Sequence, residues 1–228
     1  MRARTDRYVV LLGIAIVAAM GLARPLSAQT QGGWAERLGI DKLRFTAIGV
    51  QVGRVNPYGI EPTTSISLQA DYGEIVPSWR IVFTATYWGS RFRDRNVRAY
   101  ADSLKNTIVD PTGDAQVVLG DITVSDIVLG ADARRTYLPK AWLRPYWGAG
   151  LATHIVNADG RLIDGTFVER ATDVIAAGVA GTVGVNVGVI NHIALDAQAR
   201  YDFLSLARFG SLRVGASYYF DNPRPGTR

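Results

Sequence analysis

Charged side chains recur at every second position along several short segments of this sequence. In "NHIALDAQARYDF", Asp196, Gln198 and Arg200 share one face of an extended chain, because successive side chains of a strand point to opposite sides. Opposite charges on such a face could pair with one another and offset the cost of leaving water. We expect one internal polar network that contains Asp71, Arg80, Asp132, Arg134, Asp196, Arg200 and Arg213.

The two histidines, His154 and His192, are the side chains best suited to acid–base or nucleophilic chemistry. Asp196 shares a face with His192, but no serine is evidently placed beside that histidine. The chain has no cysteine, which excludes thiol catalysis and thiolate metal sites. We therefore expect no catalytic residue, no metal site, no cofactor and no enzymatic activity.

The charged segments alternate between polar and apolar residues, and this period of two predicts β-strands. In "GSLRVGASYYF", Leu212, Val214 and Tyr218 fall on the face opposite Ser211 and Arg213. Residues 115–137 are long for one strand and change phase near Ser125-Asp126, which predicts a bulge or a strand that rises beyond a membrane. With that segment, the predicted strands number eight: LRFTAIGVQVGR, TSISLQADY, WRIVFTATYWGS, the later half of 115–137, LRPYWGAGLATHI, AGVAGTVGVNVGVI, NHIALDAQARYDF and GSLRVGASYYF.

Alternating strands fit two kinds of closed barrel, which differ in the face that points inward. A soluble lipocalin-like barrel would hold the apolar face inside, around a ligand. A membrane barrel is favoured because the polar face is rich in glycine and in both charge signs, and because the apolar face is almost free of charge. Large aromatic residues also collect near strand ends, where headgroups would lie: Tyr72, Trp79, Tyr87, Trp88, Tyr137, Trp142, Trp147, Tyr201, Tyr218 and Phe220.

The segments between the strands alternate in length, as the short turns and long loops of outer-membrane barrels do. The shorter links are predicted at 73–78, 138–142 and 190–191, and the longer ones at 55–63, 91–114, 156–173 and, more weakly, 203–209. We therefore predict an all-β, eight-stranded, antiparallel up-and-down transmembrane barrel over residues 43–220.

The third link, residues 91–114, opens with "RFRDRNVR". Guanidinium groups pair well with phosphates, so candidate contacts with lipopolysaccharide are Arg91, Arg93, Arg95 and Arg98. A solvated loop is an equal alternative for the same residues. Apolar residues then recur at helical spacing and predict a short amphipathic helix: Val97, Tyr100, Ala101, Leu104 and Ile108.

The N-terminus has the pattern of an export signal: three arginines precede an apolar run, and small residues follow it. We predict a signal peptide over residues 1–28, cleaved after Ala28 or alternatively after Ala23, with an uncleaved membrane anchor as the other interpretation. Removal of residues 1–28 lowers the formal net charge from +5 to +2 because it takes away four arginines and one aspartate. No dense basic patch remains, so nucleic acid is not an expected partner. Residues 29–42 are predicted to form a periplasmic lead-in and residues 221–228 a C-terminal tail.

In its motifs "RPYWGAGLATH" and "LRVGASYYF" the chain resembles the small eight-stranded outer-membrane barrels of the OmpA, OmpX and OmpW type, over about residues 43–220. The resemblance implies a monomer in the outer membrane of Gram-negative bacteria, in contact with outer-membrane lipids and lipopolysaccharide. Phe220 is similar to the terminal aromatic that the barrel-insertion machinery reads, although "DNPRPGTR" follows it here. Lipid A deacylases share this barrel, but their nucleophilic serine two residues after a histidine is missing, because Val156 stands there.

Three functions remain open. The first is a non-enzymatic structural or surface-interaction role. The second is a narrow channel or carrier for small or hydrophobic compounds, as a likeness to the OmpW type implies. The third is a soluble periplasmic ligand-binding barrel.

Overall fold

The computed structural model describes residues 44–107, 120–138, 141–160, 174–204 and 207–220. All of them belong to one compact unit, Leu38–Arg228. The predicted signal peptide (1–28), the lead-in (29–42) and the tail (221–228) lie outside the described residues.

Eight antiparallel strands form a closed barrel in which each strand pairs with the next and the last pairs with the first, as predicted. Closure leaves no unpaired sheet edge, which is the condition for a sheet to stand in hydrocarbon. The strands are β1 (Ala47–Pro57), β2 (Thr63–Val76), β3 (Trp79–Arg91), β4 (Thr123–Thr136), β5 (Leu143–Asp159), β6 (Val174–Ile190), β7 (Ile193–Leu204) and β8 (Arg208–Tyr219).

The two ends of the barrel differ in their connections. At one end, here called the turn end, the links are residues 77–78, 137–142 and 191–192. At the opposite end, the loop end, they are residues 58–62, 92–122, 160–173 and 205–207. The predicted alternation is confirmed for the links 92–122 and 160–173, which are much longer than any link at the turn end. The prediction of a longer first link over 55–63 is wrong, because β1 extends to Pro57 and β2 begins at Thr63, which leaves five residues against the six of the turn-end link 137–142. The prediction of a longer seventh link over 203–209 is wrong, because β7 and β8 extend to Leu204 and Arg208.

Apolar side chains cover the outside of the barrel, and most charged side chains of the strands lie inside. Outward Val50, Val183, Leu212 and Val214 are 50% exposed or more, whereas inward Arg200 is 2% exposed. This arrangement is the reverse of a lipocalin-like barrel, in which the apolar face surrounds the ligand. The soluble ligand-binding alternative is therefore wrong for this fold.

The predicted phase change in β4 is also wrong. The strand alternates without interruption from Thr123 to Thr136, and its register with both neighbours is continuous. Val124 and Val128 simply point inward, because the interior is apolar near the loop end. Register irregularities occur instead in β2 between Asp71 and Val76.

The aromatic residues near strand ends divide between the two faces. Outward rings with substantial exposure are those of Tyr137, Trp142, Trp147, Tyr201, Tyr218 and Phe220. Trp88, which the sequence placed at headgroup level, is instead 2% exposed and packs inside the barrel against Phe209. Its inward direction follows from the phase of β3, in which Thr84 and Thr86 also point inward.

The predicted helix in the third link is confirmed as α1 (Asp94–Thr107). Asp94 in its first turn and Lys105 in its last turn complement the helix dipole. Val97 and Ala101 pack against Ile122 and Ala158 near the loop end of the barrel. Among the described residues, no helix is long and apolar enough to cross a membrane.

Candidate functional site

The centre of the barrel is occupied by an ion-pair network around Asp132 of β4. Arg200 Nη1 donates to both carboxylate oxygens of Asp132 at 2.8 and 2.6 Å, and Arg200 Nε donates to Asp202 at 2.8 Å. Arg134 Nη2 donates to the same carboxylate at 3.2 Å, and its Nη1 donates to Gln69. All five side chains point inward, as period two requires, so they meet across the lumen although they lie on three strands, β2, β4 and β7.

A second polar layer lies between this centre and the turn end. Arg80 forms an ion pair with Asp71 at 3.0 Å and also donates to Thr46. Asp71 accepts a further hydrogen bond from the backbone N–H of Gly73 at 2.7 Å. The guanidinium groups of Arg80 and Arg144 both lie over the ring of Tyr219, at 5.5 and 5.6 Å. The aromatic face thus adds a cation–π contact to each arginine.

Asp196 is satisfied by neutral donors. Gln51 Nε2 donates to its carboxylate at 2.7 Å, and the Tyr146 hydroxyl lies 3.1 Å from both of its oxygens. Gln198 in turn donates to Gln51 at 3.2 Å. Asp196 belongs to the predicted polar network of opposite charges, but the structure gives it amide and phenol donors.

Arg213 is buried in the same lumen as the central network but forms no ion pair with a described residue. Its side chain is 4% exposed, and its Nε and Nη1 have no hydrogen-bond partner among the described residues. Of the predicted set, Asp132, Arg134 and Arg200 come together at the centre, and Asp71 pairs with Arg80.

The charges inside the barrel balance over the described residues. The buried aspartates are Asp71, Asp126, Asp132, Asp196 and Asp202. They face four buried arginines, Arg134, Arg144, Arg200 and Arg213, together with the partly buried Arg80. A lumen with equal numbers of both signs has no net charge that would favour cations or anions overall.

Toward the loop end the interior changes from charged to apolar. Its buried cluster consists of Val55, Ile60, Trp88, Val124, Val128, Ala152, Ala180 and Phe209. Ile60 comes from the link between β1 and β2, and its bridge to Phe92 brings the two neighbouring links together. The alternation of polar and apolar residues did not predict this layer, because an inward apolar residue interrupts that alternation.

A buried acid–histidine pair lies within this apolar layer. His154 Nδ1 is 2.6 Å from Asp126 Oδ2, and the imidazole stacks on Phe209 with centroids 4.6 Å apart. Both side chains are 1% exposed or less, and the second polar atom of each has no partner among the described residues. The pair resembles the orienting half of a hydrolase triad, but burial on this scale gives a substrate no access.

His192 lies at the turn end, in the link between β6 and β7, with a positive φ of 68°. Its Nδ1 is 2.8 Å from the carbonyl oxygen of Tyr219, so it ties this turn to the end of β8. Asp196, which the alternation places on the same face as His192, accepts hydrogen bonds from Gln51 and Tyr146 instead. No cluster of three or more metal-ligating side chains occurs within the described ranges.

The four arginines of the third link lie at the loop end but differ in their surroundings. Arg91 faces Glu61 at 3.9 Å with both groups well exposed. Arg93 is partly buried and donates from Nε to the carbonyl oxygen of Ile60 at 3.0 Å. Arg95 and Arg98 are exposed on α1. Of the four predicted phosphate-contacting arginines, Arg93 is therefore held in position by a hydrogen bond, Arg91 is weakly paired, and the other two are solvated.

Phe220 lies directly after β8 at the turn end and is 47% exposed. Its ring lies 5.1 Å from that of Phe45 and 5.8 Å from that of Tyr218. Its backbone N–H donates to Thr46 at 2.9 Å, so pairing with β1 continues to this residue. The residue is therefore part of an aromatic group on the outer face.

Comparison with known proteins shows that this chain is similar to solved structures in its fold. No family model and no curated protein matches the chain by sequence. Among solved structures, Neisserial surface protein A is similar with a TM-score of 0.52 at 16% identity, covering 76% of this chain and 96% of that one. Ail of Yersinia pestis, solved with the heparin analogue sucrose octasulfate, matches at 0.44 and 13% identity over 78% of this chain and 100% of its own.

The N-terminal barrel domain of Pseudomonas aeruginosa OprF matches with a TM-score of 0.47 at 12% identity, over 77% of this chain and 98% of that chain. The eight-strand closure, the apolar outer face and the likeness to Neisserial surface protein A agree on one architecture. The chain therefore has the fold of the small eight-stranded outer-membrane β-barrels.

Proposed function

We propose that this protein is an integral outer-membrane barrel with a structural or surface-interaction role and no catalytic activity. The observation that carries the proposal is the filled interior, in which a charge-balanced network is covered toward the loop end by an apolar layer. An interior of this kind stabilises a barrel and obstructs transport. The function then depends on the outside of the barrel and on its loops.

The polar part of the lumen supports a closed pathway. A cavity of about 30 Å³ lies among Asp71, Arg80, Arg144 and Tyr219, which is room for about one water molecule. The ion pairs at Asp132 join β4 to β7 across the interior. An ion that entered from the turn end would have to displace these contacts.

The apolar layer adds a second barrier. Trp88 and Phe209 lie 6.0 Å apart in a group of aliphatic side chains. Hydrophobic constrictions stop ion flow because water leaves them. We therefore favour the structural role over the narrow-channel alternative.

Orientation and partners follow from the ends of the barrel. The loop end, which carries α1 and its arginines, faces the exterior, where it contacts lipopolysaccharide and other outer-membrane lipids. The turn end faces the periplasm, which is the side from which a chain with a cleaved signal peptide arrives. Phe220 serves the barrel-insertion machinery during assembly, and the finished barrel is a monomer.

Fractionation and heat-modifiable migration test the location. The protein expressed with its own N-terminus should sediment with the outer membrane and migrate faster unheated than boiled, because a closed barrel resists detergent. Recovery in the periplasmic fraction after osmotic shock would contradict the proposal.

Planar-bilayer conductance tests the closed interior. We expect the inserted barrel to give no discrete current steps, with an established porin in the same bilayer as the positive control. Reproducible steps from the purified chain would overturn the structural role in favour of the channel.

A further inference from the structure

Two hollows adjoin on the outer wall of the barrel near the loop end. The first has a volume of about 720 Å³ and a mainly apolar lining that includes Trp147, Val183 and Leu212, with the exposed Arg54 of β1 also among its lining residues. The second has a volume of about 710 Å³, and its lining includes three cations, Arg93, Arg95 and Arg208. The two share Asn56, Tyr201 and Gly210, so they form one crevice that changes along its length from apolar to cationic.

The apolar part owes its depth to two glycines on the outward face. Gly181, Tyr201 and Gly210 stand side by side across β6, β7 and β8. A Cβ added at Gly181 would have no atom within 4 Å, and one at Gly210 would meet only the Tyr201 ring, at 3.6 Å. Backbone packing therefore does not require glycine at either position, and the missing side chains leave an open groove in a wall otherwise covered by valine and leucine.

The cationic part is held in place by hydrogen bonds between α1 and the first link. Asn96 Nδ2 donates to the carbonyl oxygen of Gly59 at 2.8 Å, and Arg93 Nε donates to that of Ile60 at 3.0 Å. These contacts bring the start of α1 beside Arg208 of β8, the third cation of the hollow. None of the described residues that line this hollow is acidic, whereas Arg91 faces Glu61 outside the crevice.

We propose that this crevice binds a lipid A molecule of lipopolysaccharide, with an acyl chain in the apolar groove and a phosphate at Arg95 and Arg208. The inference rests on the proposed outer-membrane location, which puts the loop end at the outer leaflet. Guanidinium groups bind phosphate through paired charged hydrogen bonds. The open apolar groove suits an acyl chain, which is apolar along its length. A free phosphate would use only the cationic half, and an uncharged lipid only the apolar half.

Native mass spectrometry of the full chain in detergent, titrated with bis-phosphorylated lipid A, tests the cationic half. Arg95→Gln with Arg208→Gln should weaken lipid A binding about tenfold or more, because two charged hydrogen-bond donors are lost. The matched control, Arg44→Gln with Arg135→Gln, removes the same charge from two exposed arginines at the turn end and should leave binding within about twofold. An equal loss in both double variants, or no loss in the first, would overturn the proposal.

The apolar half is tested by filling the groove. Gly181→Leu places a side chain where the added Cβ meets nothing, and it should reduce lipid A binding as strongly as the arginine pair. Gly89→Leu is the control on β3, since Gly89 is exposed and its added Cβ would meet only atoms at 3.7 Å. Unchanged binding in Gly181→Leu would exclude the groove. Phosphatidylethanolamine binding as tightly as lipid A, or inorganic phosphate displacing lipid A at equal concentration, would equally exclude the site.

Heat-modifiable migration of every variant shows that the barrel is closed and that the binding data report on the site. Wild-type protein that fractionates with the outer membrane but binds lipid A no better than the variants would refute the lipid site and leave the proposed location standing. Wild-type protein in the periplasmic fraction would refute both.

Discussion

Replacing Asp132 by asparagine removes one charge from the centre of the barrel and almost preserves the side-chain shape. Asp132 is 1% exposed and accepts hydrogen bonds from Arg200 at 2.8 and 2.6 Å and from Arg134 at 3.2 Å. After the substitution, two buried guanidinium groups lose their shared counter-charge, and Arg213 is a further buried cation in the same lumen. Breaking a buried pair from one side costs about 3–5 kcal/mol of folding free energy.

The measurement is reversible urea unfolding of the barrel in phospholipid vesicles, followed by tryptophan fluorescence. We expect the free energy of unfolding to fall by about 3–5 kcal/mol in Asp132→Asn. The exposed pair between Glu61 and Arg91, 3.9 Å apart, supplies the control. Glu61→Gln should change the free energy by no more than about 1 kcal/mol, because solvent screens that pair.

A double-mutant cycle locates the effect. Combining Asp132→Asn with Arg200→Gln should cost less than the sum of the two single variants, by about 0.5–3 kcal/mol, since the partners contact each other directly. A cost below about 1 kcal/mol for Asp132→Asn, equal to that of Glu61→Gln, would refute the reasoning that the network stabilises the barrel.

Three further outcomes are expected. Gly215→Ala should lower the unfolding free energy by about 1–3 kcal/mol through overpacking. The new methyl group would meet the backbone of β1 at the carbonyl oxygen of Val50 and at Gln51 Cα, the latter 2.6 Å away. Gly181→Ala should leave the unfolding free energy unchanged in the same urea titration, because no atom lies within 4 Å of its new methyl group. Val214→Arg should cost about 2–4 kcal/mol of unfolding free energy, because Val214 points outward near the middle of β8, and a cost near zero would contradict the assigned outer face. Trp147→Phe should remove part of the fluorescence quenching by bromine-labelled lipid chains, and Trp88→Phe should remove little, because Trp147 faces outward and Trp88 faces the interior; the reverse order would contradict the orientation.

Much of the fold was predictable from the residues because a membrane barrel imposes one rule at every position. Because one face of each strand meets lipid and the other meets a polar lumen, apolar and polar side chains alternate along the strand. The number of strands, their outer face and the inward charges could therefore be predicted. The apolar spacing of Val97 and Ala101 likewise predicted α1. The rule fails where the lumen itself becomes apolar, which is why Val124 and Val128 gave a false phase change and Trp88 was placed on the wrong face.

The sequence alone determined the face on which each strand residue lies, because backbone geometry fixes the alternation locally. The tertiary structure decided which inward residues meet. Gln51 bonds to Asp196, 145 positions away, and Arg200 bonds to Asp132, 68 positions away, because barrel closure and the register of every strand pair set them at the same level. Such register depends on pairing between distant parts of the chain. For the same reason, only the folded barrel shows the apolar layer at the loop end, the buried pair of Asp126 with His154, and the crevice beside Gly181.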